Sequence, residues 1–314
     1  MTIIGSSDLD VFPLGLGGNT FGWTSYKDTS FAVLDAFVAA GGNHIDSADS
    51  YSAWVPGNVG GESETVIGEW VAARGNRDSV TIATKVGRSP QARGLARSNV
   101  LAAADASLSR LQSDYIDLYY VHGDDNTDLP LDEVVGVFHE LQHAGKIRHV
   151  GLSNFSAPRL REWFAIAAAA GYAPPVALQP PYNLMERAAY ESSLAPVAAE
   201  LGLGVLPYYS LASGFLTGKY RSADDLAGAA RQPGATRYLK TSAGPAVLAA
   251  LDAVAADRGV EQATVAVAWL RTRPSVVAPL ASARMVEQLP ALLASTQLDL
   301  TADEVEALDK ASAA

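Results

Sequence analysis

The sequence predicts an α/β fold, namely a single (β/α)8 TIM barrel preceded by a short N-terminal β-hairpin. Short β-branched or apolar segments alternate along the chain with longer segments of helical period, which is the pattern of parallel strands joined by right-handed crossovers. Eight strand segments of this kind can be counted, and eight is the number that closes this barrel. A doubly wound sheet is the alternative fold with the same alternation.

The predicted elements alternate in order along the chain. Residues 1–12 are expected to form the hairpin beneath the barrel. The strands are predicted at 13–18, 43–48, 80–87, 116–123, 149–154, 176–183, 204–210 and 275–281. The helices are predicted at 28–40, 62–74, 97–111, 130–144, 156–170, 186–201 and 262–272, with a final helix at 301–312. Residues 218–243 lack a clear period and are expected to form a long loop after the seventh strand.

Composition excludes several classes of protein. The 314 residues contain no Pro/Gly/Ser-rich linker, so we predict one domain over residues 1–314. The absence of cysteine excludes disulfides, thiolate nucleophiles and Cys-ligated metal sites. Lys and Arg number 23 against 34 Asp and Glu, and the net charge of −11 disfavours nucleic acid and anionic membranes as partners. No stretch approaches the roughly 18 apolar residues of a membrane span, and no signal peptide is recognisable, so a cytoplasmic location is expected.

The string HELQH at 139–143 contains the H-E-x-x-H pattern of zinc metalloproteases. The apolar stripe of this predicted helix consists of Val134, Val137, Phe138 and Leu141. His139 and His143 are predicted on the opposite side, toward solvent. The longer metzincin pattern also fails, because Lys146 stands where it needs a glycine, and Gly145 is better interpreted as the helix end. A solvated helix face is therefore favoured, with a zinc protease as the alternative that metal analysis would test.

Polar side chains stand where the predicted strands end. They are Asp46, Lys85, His122, Ser153, Asn154 and Gln179. A barrel core excludes such groups unless they are paired, whereas the C-terminal ends of the strands form the face that carries the active site. We therefore expect a functional site at this face.

Asp46, Tyr51, Lys85 and His122 together suit acid catalysis on a carbonyl oxygen. A tyrosine has a reference pKa of about 10, so it donates a proton at neutral pH only if a neighbour such as a lysine ammonium stabilises the phenolate. An adjacent aspartate keeps that lysine charged in a partly dry pocket, and a histidine can orient the carbonyl. The hydride must come from a cofactor, because no side chain supplies one.

The same residues resemble the aldo-keto reductase family. Asp46 and Tyr51 in NHIDSADSY, Lys85 in TKVG and His122 in DLYYVHG resemble its catalytic tetrad. Further stretches resemble the family in the same order: GKIRHVGLSNF (145–155), LQPPYNLMER (178–187) and LPYYSLASGFLTGKY (206–220). The likeness covers essentially the whole chain and implies an NADPH-dependent carbonyl reductase on a (β/α)8 barrel. A Rossmann fingerprint and a P-loop are both missing from the sequence.

The resemblance implies cofactor-binding roles for further positions. Ser153, Asn154 and Gln179 would hydrogen-bond the nicotinamide carboxamide, and Tyr208 would stack beneath the nicotinamide ring. The remaining implied positions are Gly18 and Asn19 after the first strand, Leu211 and Lys219 along the pyrophosphate, and Arg284 and Gln288 at the adenosine end. The cation at 284 would pair with the 2′-phosphate, so NADPH is expected over NADH.

The sequence also departs from the family pattern. Tyr209 and Ser210 stand where several members have Ser-Pro, Ser282 replaces a usual glycine, and Leu292 replaces a frequent asparagine near the adenine. These positions are the ones that the resemblance places near the pyrophosphate and the adenine.

The expected substrate is a small, uncharged and partly hydrophobic carbonyl compound. The acidic segment GDDNTDLP after His122 would disfavour anionic substrates at the mouth, whereas Trp23, Trp54 and the loop 51–61 would supply apolar walls.

Two alternative functions on the same barrel stay open. Potassium-channel beta subunits resemble reductases but act as regulatory binding modules, although they depart at the histidine that this chain keeps. A Schiff-base aldolase using Lys85 is the other, but Asp46 has no clear task there.

Overall fold

The computed structural model describes residues 1–125, 129–222, 224–226 and 232–313. The strands in this part of the chain are β1 (Thr2–Ile3), β2 (Asp10–Val11), β3 (Gly15–Gly17), β4 (His44–Asp46), β5 (Thr81–Val86), β6 (Arg88–Ser89), β7 (Ala92–Arg93), β8 (Ile116–Val121), β9 (Ile147–Ser153), β10 (Ala177–Gln179), β11 (Gly204–Val205) and β12 (Leu280–Ala281). The α-helices are α1 (Lys27–Ala39), α2 (Glu62–Arg74), α3 (Arg97–Leu111), α4 (Leu131–His143), α5 (Ala157–Ala170), α6 (Ala195–Glu200), α7 (Gln232–Leu239), α8 (Ala243–Arg258), α9 (Gln262–Arg271), α10 (Leu289–Ala294) and α11 (Ala302–Ala311).

Eight of these strands form one parallel sheet, in the order β11, β10, β9, β8, β5, β4, β3, β12. Val205 in β11 forms a parallel bridge with Val276, just before β12, and the Val277 amide donates to the Val205 carbonyl at 2.9 Å. The sheet therefore closes on itself, and the predicted (β/α)8 barrel is confirmed. A doubly wound sheet is excluded, because its strand order reverses at a switch point.

The hairpin β1–β2 covers the N-terminal ends of the barrel strands. Thr2 pairs antiparallel with Val11, and the turn between the two strands buries Ile4 and Leu9 in a cluster with Val176, the residue before β10. This end is the bottom of the barrel, opposite the face that carries active sites in this fold. The predicted hairpin and its position are both confirmed.

Prolines explain why three barrel strands are shorter than predicted. The predicted ranges were 176–183, 204–210 and 275–281. Because proline has no N–H to donate to a neighbouring strand, β10 ends at Gln179, directly before Pro180 and Pro181. Pro207 follows shortly after β11, and Pro279 directly precedes β12.

Three helices of the described ranges, α7, α8 and α10, lie where the sequence analysis placed none. The predicted loop 218–243 is wrong in part, because α7 occupies Gln232–Leu239; residues 223 and 227–231 of that range lie outside the described part. The helix α8 buries Val247, Leu251 and Val254, but alanines on both faces hide its apolar stripe in the sequence. Among the helices of the described ranges, none is long and apolar enough to cross a membrane.

The HELQH string lies on α4, whose buried face is the apolar stripe predicted from the sequence. His143 is exposed, but His139 is half-buried and stacks on Tyr172 with ring centroids 3.7 Å apart. The prediction that both histidines face solvent is therefore corrected for His139. Glu140, the glutamate of the motif, is held by a bidentate ion pair with Arg97. The three residues of the motif thus make surface contacts on the outside of the barrel.

Candidate active site

The polar strand-end residues converge at the C-terminal mouth of the barrel. Asp46 ends β4, Lys85 lies next to last in β5, and Gln179 ends β10. The parallel pairing sets Ser153, the last residue of β9, opposite Gln179, while His122 directly follows β8. The sheet register therefore brings these side chains to one edge, as the sequence analysis expected.

Lys85 is the centre of the cluster. Its ammonium donates to Asp46 Oδ2 at 2.6 Å, to the Ser47 carbonyl at 2.6 Å and to the Tyr51 hydroxyl at 3.0 Å. Burial lowers the pKa of Lys85, because desolvation disfavours the ammonium, and the Asp46 carboxylate acts against that effect. The three acceptors use all three donors of the ammonium. The sequence analysis did not identify the Ser47 carbonyl as part of this site.

Tyr51 is held above Lys85 by the loop that follows β4. This loop continues the pairing of β4 with β5, because the Ser47 amide donates to the Ala83 carbonyl and the Asp49 amide donates to the Lys85 carbonyl. The Tyr51 hydroxyl lies 3.3 Å from Asp46 Oδ2. The Tyr51 hydroxyl therefore contacts both a carboxylate and an ammonium at the open end of the barrel.

A chain of hydrogen bonds connects Asp46 with the predicted nicotinamide-binding residues. Gln179 Nε2 donates to Asp46 Oδ1 at 2.9 Å, and Ser153 Oγ donates to the Gln179 carbonyl at 2.8 Å. Asn154 Nδ2 donates to Ser153 Oγ at 3.0 Å, and the Tyr208 hydroxyl donates to Asn154 Oδ1 at 2.8 Å. Asn154 has a φ of 56°, a left-handed conformation that asparagine tolerates better than most residues. These polar groups therefore fix one another in place.

His122 is half-buried at this mouth. Burial, together with the nearby positive charges of Lys85 and Arg88, lowers the pKa of His122 well below its ordinary value. Ser50 Oγ lies 3.5 Å from His122 Nδ1, and the Tyr51 ring centroid lies 6.2 Å from that of His122. The imidazole is therefore neutral at physiological pH and can act as a hydrogen-bonding group next to Tyr51.

The predicted adenosine-end residues lie along the loop after β12. Gln288 Oε1 accepts from the Arg284 amide at 2.8 Å, and Ser282 Oγ donates to Asn19 Oδ1 at 2.7 Å. The Arg284 side chain is exposed, and in the described ranges it takes part in none of the side-chain hydrogen bonds or ion pairs. A Cβ on Gly18 would lie 2.7 Å from Ser63 Oγ, so only glycine fits there.

The predicted pyrophosphate residues belong to a tight turn after β11. Within 208–218, five residues have positive φ, namely Tyr209, Ala212, Ser213, Gly214 and Gly218. The Leu211 carbonyl accepts from the amides of Gly214 and Leu216. Lys219 is exposed, with its ammonium 4.8 Å from the Tyr220 ring centroid. Lys219 and Arg284 are both exposed, and in the described ranges neither side chain hydrogen-bonds to the cluster around Lys85.

Aromatic rings line one side of the mouth. Trp54 is 51% exposed, and its ring lies 5.6 Å from the Trp23 ring and 6.2 Å from the Tyr51 ring, with edge-to-face geometry in both pairs. An exposed tryptophan beside the Tyr51 ring is a surface onto which an apolar ligand can pack. This placement agrees with the apolar walls expected from the sequence.

The acidic segment after His122 is largely neutralised by arginines. Asp124 forms a bidentate ion pair with Arg159, and Asp125 forms one with Arg88. Residues 126–128 of this segment lie outside the described part of the chain. The expectation that these aspartates repel anions is therefore corrected for Asp124 and Asp125, since their charges are paired.

Two groups of functional interest escaped the sequence analysis. Asp49 is buried with neither carboxyl oxygen hydrogen-bonded, and Arg88 lies in the short hairpin β6–β7 that follows β5. Asp49 directly follows the predicted strand 43–48 and lies three residues after Asp46, which is a usable signal in the sequence. Arg88 gave none, because its partner Asp125 is 37 positions away.

A closed (β/α)8 barrel whose polar side chains converge at its C-terminal mouth is the architecture of the TIM-barrel enzymes. The family model described as Aldo/keto reductase family matches residues 13–313. Protein tas of Escherichia coli is 35% identical, covering 96% of this chain and 95% of that protein. Aldo-keto reductase YhdN of Bacillus subtilis is 34% identical over 96% of this chain and 89% of that protein. Norsolorinic acid reductase B of Aspergillus parasiticus is 31% identical, covering 98% of this chain and 82% of that protein.

The chain belongs to the aldo/keto reductase family. It is accordingly an oxidoreductase of the kind that acts on small carbonyl compounds, a class whose members generally use nicotinamide cofactors. The resemblance recognised from the tetrad and the later segments of the sequence is confirmed.

Proposed function

We propose that the protein reduces aldehydes or ketones to alcohols with hydride from NADPH, using Tyr51 as the general acid. The contact of 3.0 Å between the Lys85 ammonium and the Tyr51 hydroxyl carries this proposal. An ammonium at this distance favours the phenolate over the phenol, which makes the hydroxyl a stronger acid. Asp46, bound to the same ammonium at 2.6 Å, keeps Lys85 charged despite its burial.

The residues of the mouth fit a nicotinamide cofactor. Arg284 and Lys219 are exposed cations on an acidic chain and would hold the 2′-phosphate and the pyrophosphate. The Tyr208 ring is oriented by its hydrogen bond to Asn154, so it would present a fixed face to the nicotinamide. When bound, the cofactor supplies the hydride that adds to the carbonyl carbon.

Tyr51 transfers its proton to the carbonyl oxygen as negative charge develops there. The products are the alcohol and a Tyr51 phenolate, which the Lys85 ammonium stabilises until the phenolate is reprotonated. His122, neutral and next to the Tyr51 ring, donates a hydrogen bond to the same oxygen and thereby directs the carbonyl toward Tyr51. Asp46 holds the position of Lys85 through its contact with the ammonium.

The substrate class follows from the walls of the mouth. The exposed ring of Trp54, braced by Trp23, favours a planar apolar group on the substrate. The described acidic residues Asp124 and Asp125 are ion-paired, so they offer neither attraction nor strong repulsion to charge. We propose uncharged aldehydes or ketones with an aromatic or extended apolar substituent.

Oxidation of NADPH by the purified protein with 4-nitrobenzaldehyde tests this function directly. The Tyr51→Phe variant should bind NADPH as the wild type does but lose about 10²–10⁴-fold in kcat, the usual contribution of a general acid. Unchanged turnover in this variant contradicts the acid role. A protein that binds NADPH but reduces no aldehyde or ketone would instead be a regulatory binding module of the same fold.

A further inference from the structure

The inner face of strand β8 carries a tyrosine directly beside the Lys85 side chain. Lys85 in β5 and Tyr120 in β8 are partners in the parallel register, and both are fully buried. Because successive residues of a strand point to opposite faces of the sheet, Tyr120 and Leu118 face the barrel interior, where both belong to one apolar cluster. Tyr119 faces outward and packs against Phe138 of α4, with ring centroids 5.6 Å apart. The strand therefore presents one buried tyrosine to the site and one to the helices.

The Lys85 ammonium lies between two tyrosine rings. Its nitrogen is 4.7 Å from the Tyr51 ring centroid and 5.9 Å from the Tyr120 ring centroid, and an aromatic face attracts a cation within about 6 Å. The three hydrogen bonds of the ammonium run to Asp46, Ser47 and Tyr51, which belong to β4 and the loop after it. Tyr120 contacts the same ammonium from β8.

The Tyr120 ring is held in place by a glycine on the next strand. Gly151 in β9 is the register partner of Tyr120, and a Cβ built on this glycine would lie 2.3 Å from Tyr120 Cε1 and 2.4 Å from Cδ1. The ring therefore packs directly on the Gly151 backbone. The same row continues with Ala177 in β10 and Gly204 in β11, so small residues leave room in the barrel interior for one large ring.

The ring of Tyr120, rather than its hydroxyl, makes the contact with Lys85. Among the residues that the structure describes, none forms a hydrogen bond with the Tyr120 hydroxyl. Burial raises the pKa of Tyr120 well above its ordinary value, and the Asp46 charge adds to this effect, so the side chain stays a neutral phenol. A lysine side chain is a flexible four-carbon stem, and without the ring it could turn toward the barrel interior.

We infer that Tyr120 is a positioning residue whose ring holds the Lys85 ammonium against the Tyr51 hydroxyl. This inference rests on the proposed function, in which the contact of 3.0 Å between Lys85 and Tyr51 makes Tyr51 a stronger acid. The ring closes the side of the ammonium that faces the barrel interior, and its face attracts the charge. If the ring is removed, the ammonium stabilises the Tyr51 phenolate less well.

The Tyr120→Leu variant should therefore raise the pH at which Tyr51 ionises by about 0.4–1.5 pH units, which corresponds to the loss of one cation–π contact. The ultraviolet absorbance of tyrosinate during an alkaline titration measures this midpoint. Each protein is compared with its own Tyr51→Phe counterpart, and the difference isolates the Tyr51 signal. An unchanged midpoint in folded Tyr120→Leu overturns the inference.

Two matched variants separate the ring contact from general packing. Tyr119→Leu removes an equally buried ring from the outer face of the same strand, so it should destabilise the protein comparably but leave the Tyr51 midpoint unchanged. Tyr120→Phe keeps the ring and should also leave the midpoint unchanged. A shift in Tyr119→Leu as large as that in Tyr120→Leu would assign the effect to packing, and an equal shift in Tyr120→Phe would assign it to the hydroxyl. Either result overturns the inference.

The other groups that face Lys85 and Tyr51 are the same in all these variants. They are Asp46 on β4, Asp49 in the loop after it, Glu64 on α2 and His122 after β8.

The measurement can be kept independent of folding and of turnover. If Tyr120→Leu does not fold, Tyr120→Met, which fills more of the space with a flexible apolar chain, replaces it, and a shift of the same sign is expected. The titration needs neither cofactor nor substrate, so its result stands even if the purified protein reduces no aldehyde or ketone. In an active enzyme, kcat should fall in Tyr120→Leu and be retained in Tyr119→Leu.

Discussion

Gln179 Nε2 donates to Asp46 Oδ1 at 2.9 Å, while Lys85 donates to Asp46 Oδ2 at 2.6 Å, so the carboxylate is fixed at both oxygens. The three residues come from three strands and lie up to 133 positions apart in the chain. All three are buried. The charge on Lys85 therefore depends on a carboxylate that cannot turn away from it.

The Asp46→Asn variant should lose activity and stability together. Without the carboxylate, the effect that opposes burial disappears, so the pKa of Lys85 falls further and the ammonium deprotonates at lower pH. The alkaline decline of kcat should therefore begin at lower pH than in the wild type. Unfolding in urea should show a loss of about 3 kcal/mol or more, the usual cost of leaving a buried charge unpaired.

The double variant Asp46→Asn/Lys85→Met controls for packing damage. Because the double variant removes both charges, its loss of unfolding free energy should be smaller than the sum of the losses in the two single variants. Additive losses of stability would mean that the pair contributes through volume rather than charge.

The Arg284→Ala variant should lose the preference for NADPH over NADH. The exposed guanidinium is expected to pair with the 2′-phosphate, and a charge-assisted contact of that kind is worth about 1.5–3 kcal/mol, or roughly a tenfold to hundredfold change in Kd. Fluorescence titrations with both cofactors measure the ratio of the Kd for NADH to the Kd for NADPH. This ratio should fall because the Kd for NADPH rises while the Kd for NADH stays the same. Met285→Ala, at the exposed neighbouring position, is the matched control and should retain the ratio of the wild type.

The sequence predicted the barrel well because its signals are local. The segments around Asp46 and Lys85 each end a strand, and parallel pairing then brings those ends together without further information. The same argument located His122 and Gln179. Two expectations from the sequence stay predictions. They are the single domain over residues 1–314 and the cytoplasmic location.

The features that sequence analysis missed depend on contacts between distant positions. The position of Arg88 is set by its ion pair with Asp125 across 37 positions, and its approach to the backbone at 123 depends on the missing side chain of Gly123. Helix α6 is shorter than predicted for a local reason, however. Pro196 lies in its first turn, and the wide turn Tyr190–Leu194 precedes it, because proline lacks the N–H for a regular helical bond.

The Trp54→Ala variant should raise KM selectively for aromatic aldehydes. Its exposed ring stands beside Tyr51 in edge-to-face contact, and an aromatic contact of this kind is worth about 0.5–1.5 kcal/mol, or roughly a twofold to tenfold change in KM. Small aliphatic aldehydes should be affected less. Val59→Ala, which alters an exposed residue of the same loop, should leave both values of KM close to those of the wild type. Equal losses for both substrate types would contradict a binding role for the ring.

The Asp49→Asn variant should make the protein more stable at alkaline pH. Burial, reinforced by the nearby Glu64 carboxylate, raises the pKa of Asp49 to about 8, and the Arg110 guanidinium acts against this. Arg110 is already paired with Glu64 at 2.7 Å. The Gly87 amide also favours the ionised form of Asp49, but it lies outside hydrogen-bonding geometry. Asp49 is therefore a neutral acid at physiological pH.

The sign of the effect follows from proton linkage. Between the ordinary pKa of an aspartate, about 4, and about 8, the folded protein binds a proton at Asp49 that the unfolded chain releases. The free energy of unfolding therefore falls as pH rises through this window, by at most about 1.4 kcal/mol per pH unit from this group. Asparagine is neutral in both states, so the stability of the variant relative to the wild type should rise from pH 5 to pH 8 and then level off. Urea unfolding across this range measures the difference, with the exposed Asp132→Asn as a control that should give none. A difference that does not change with pH would show that Asp49 is ionised in the folded protein.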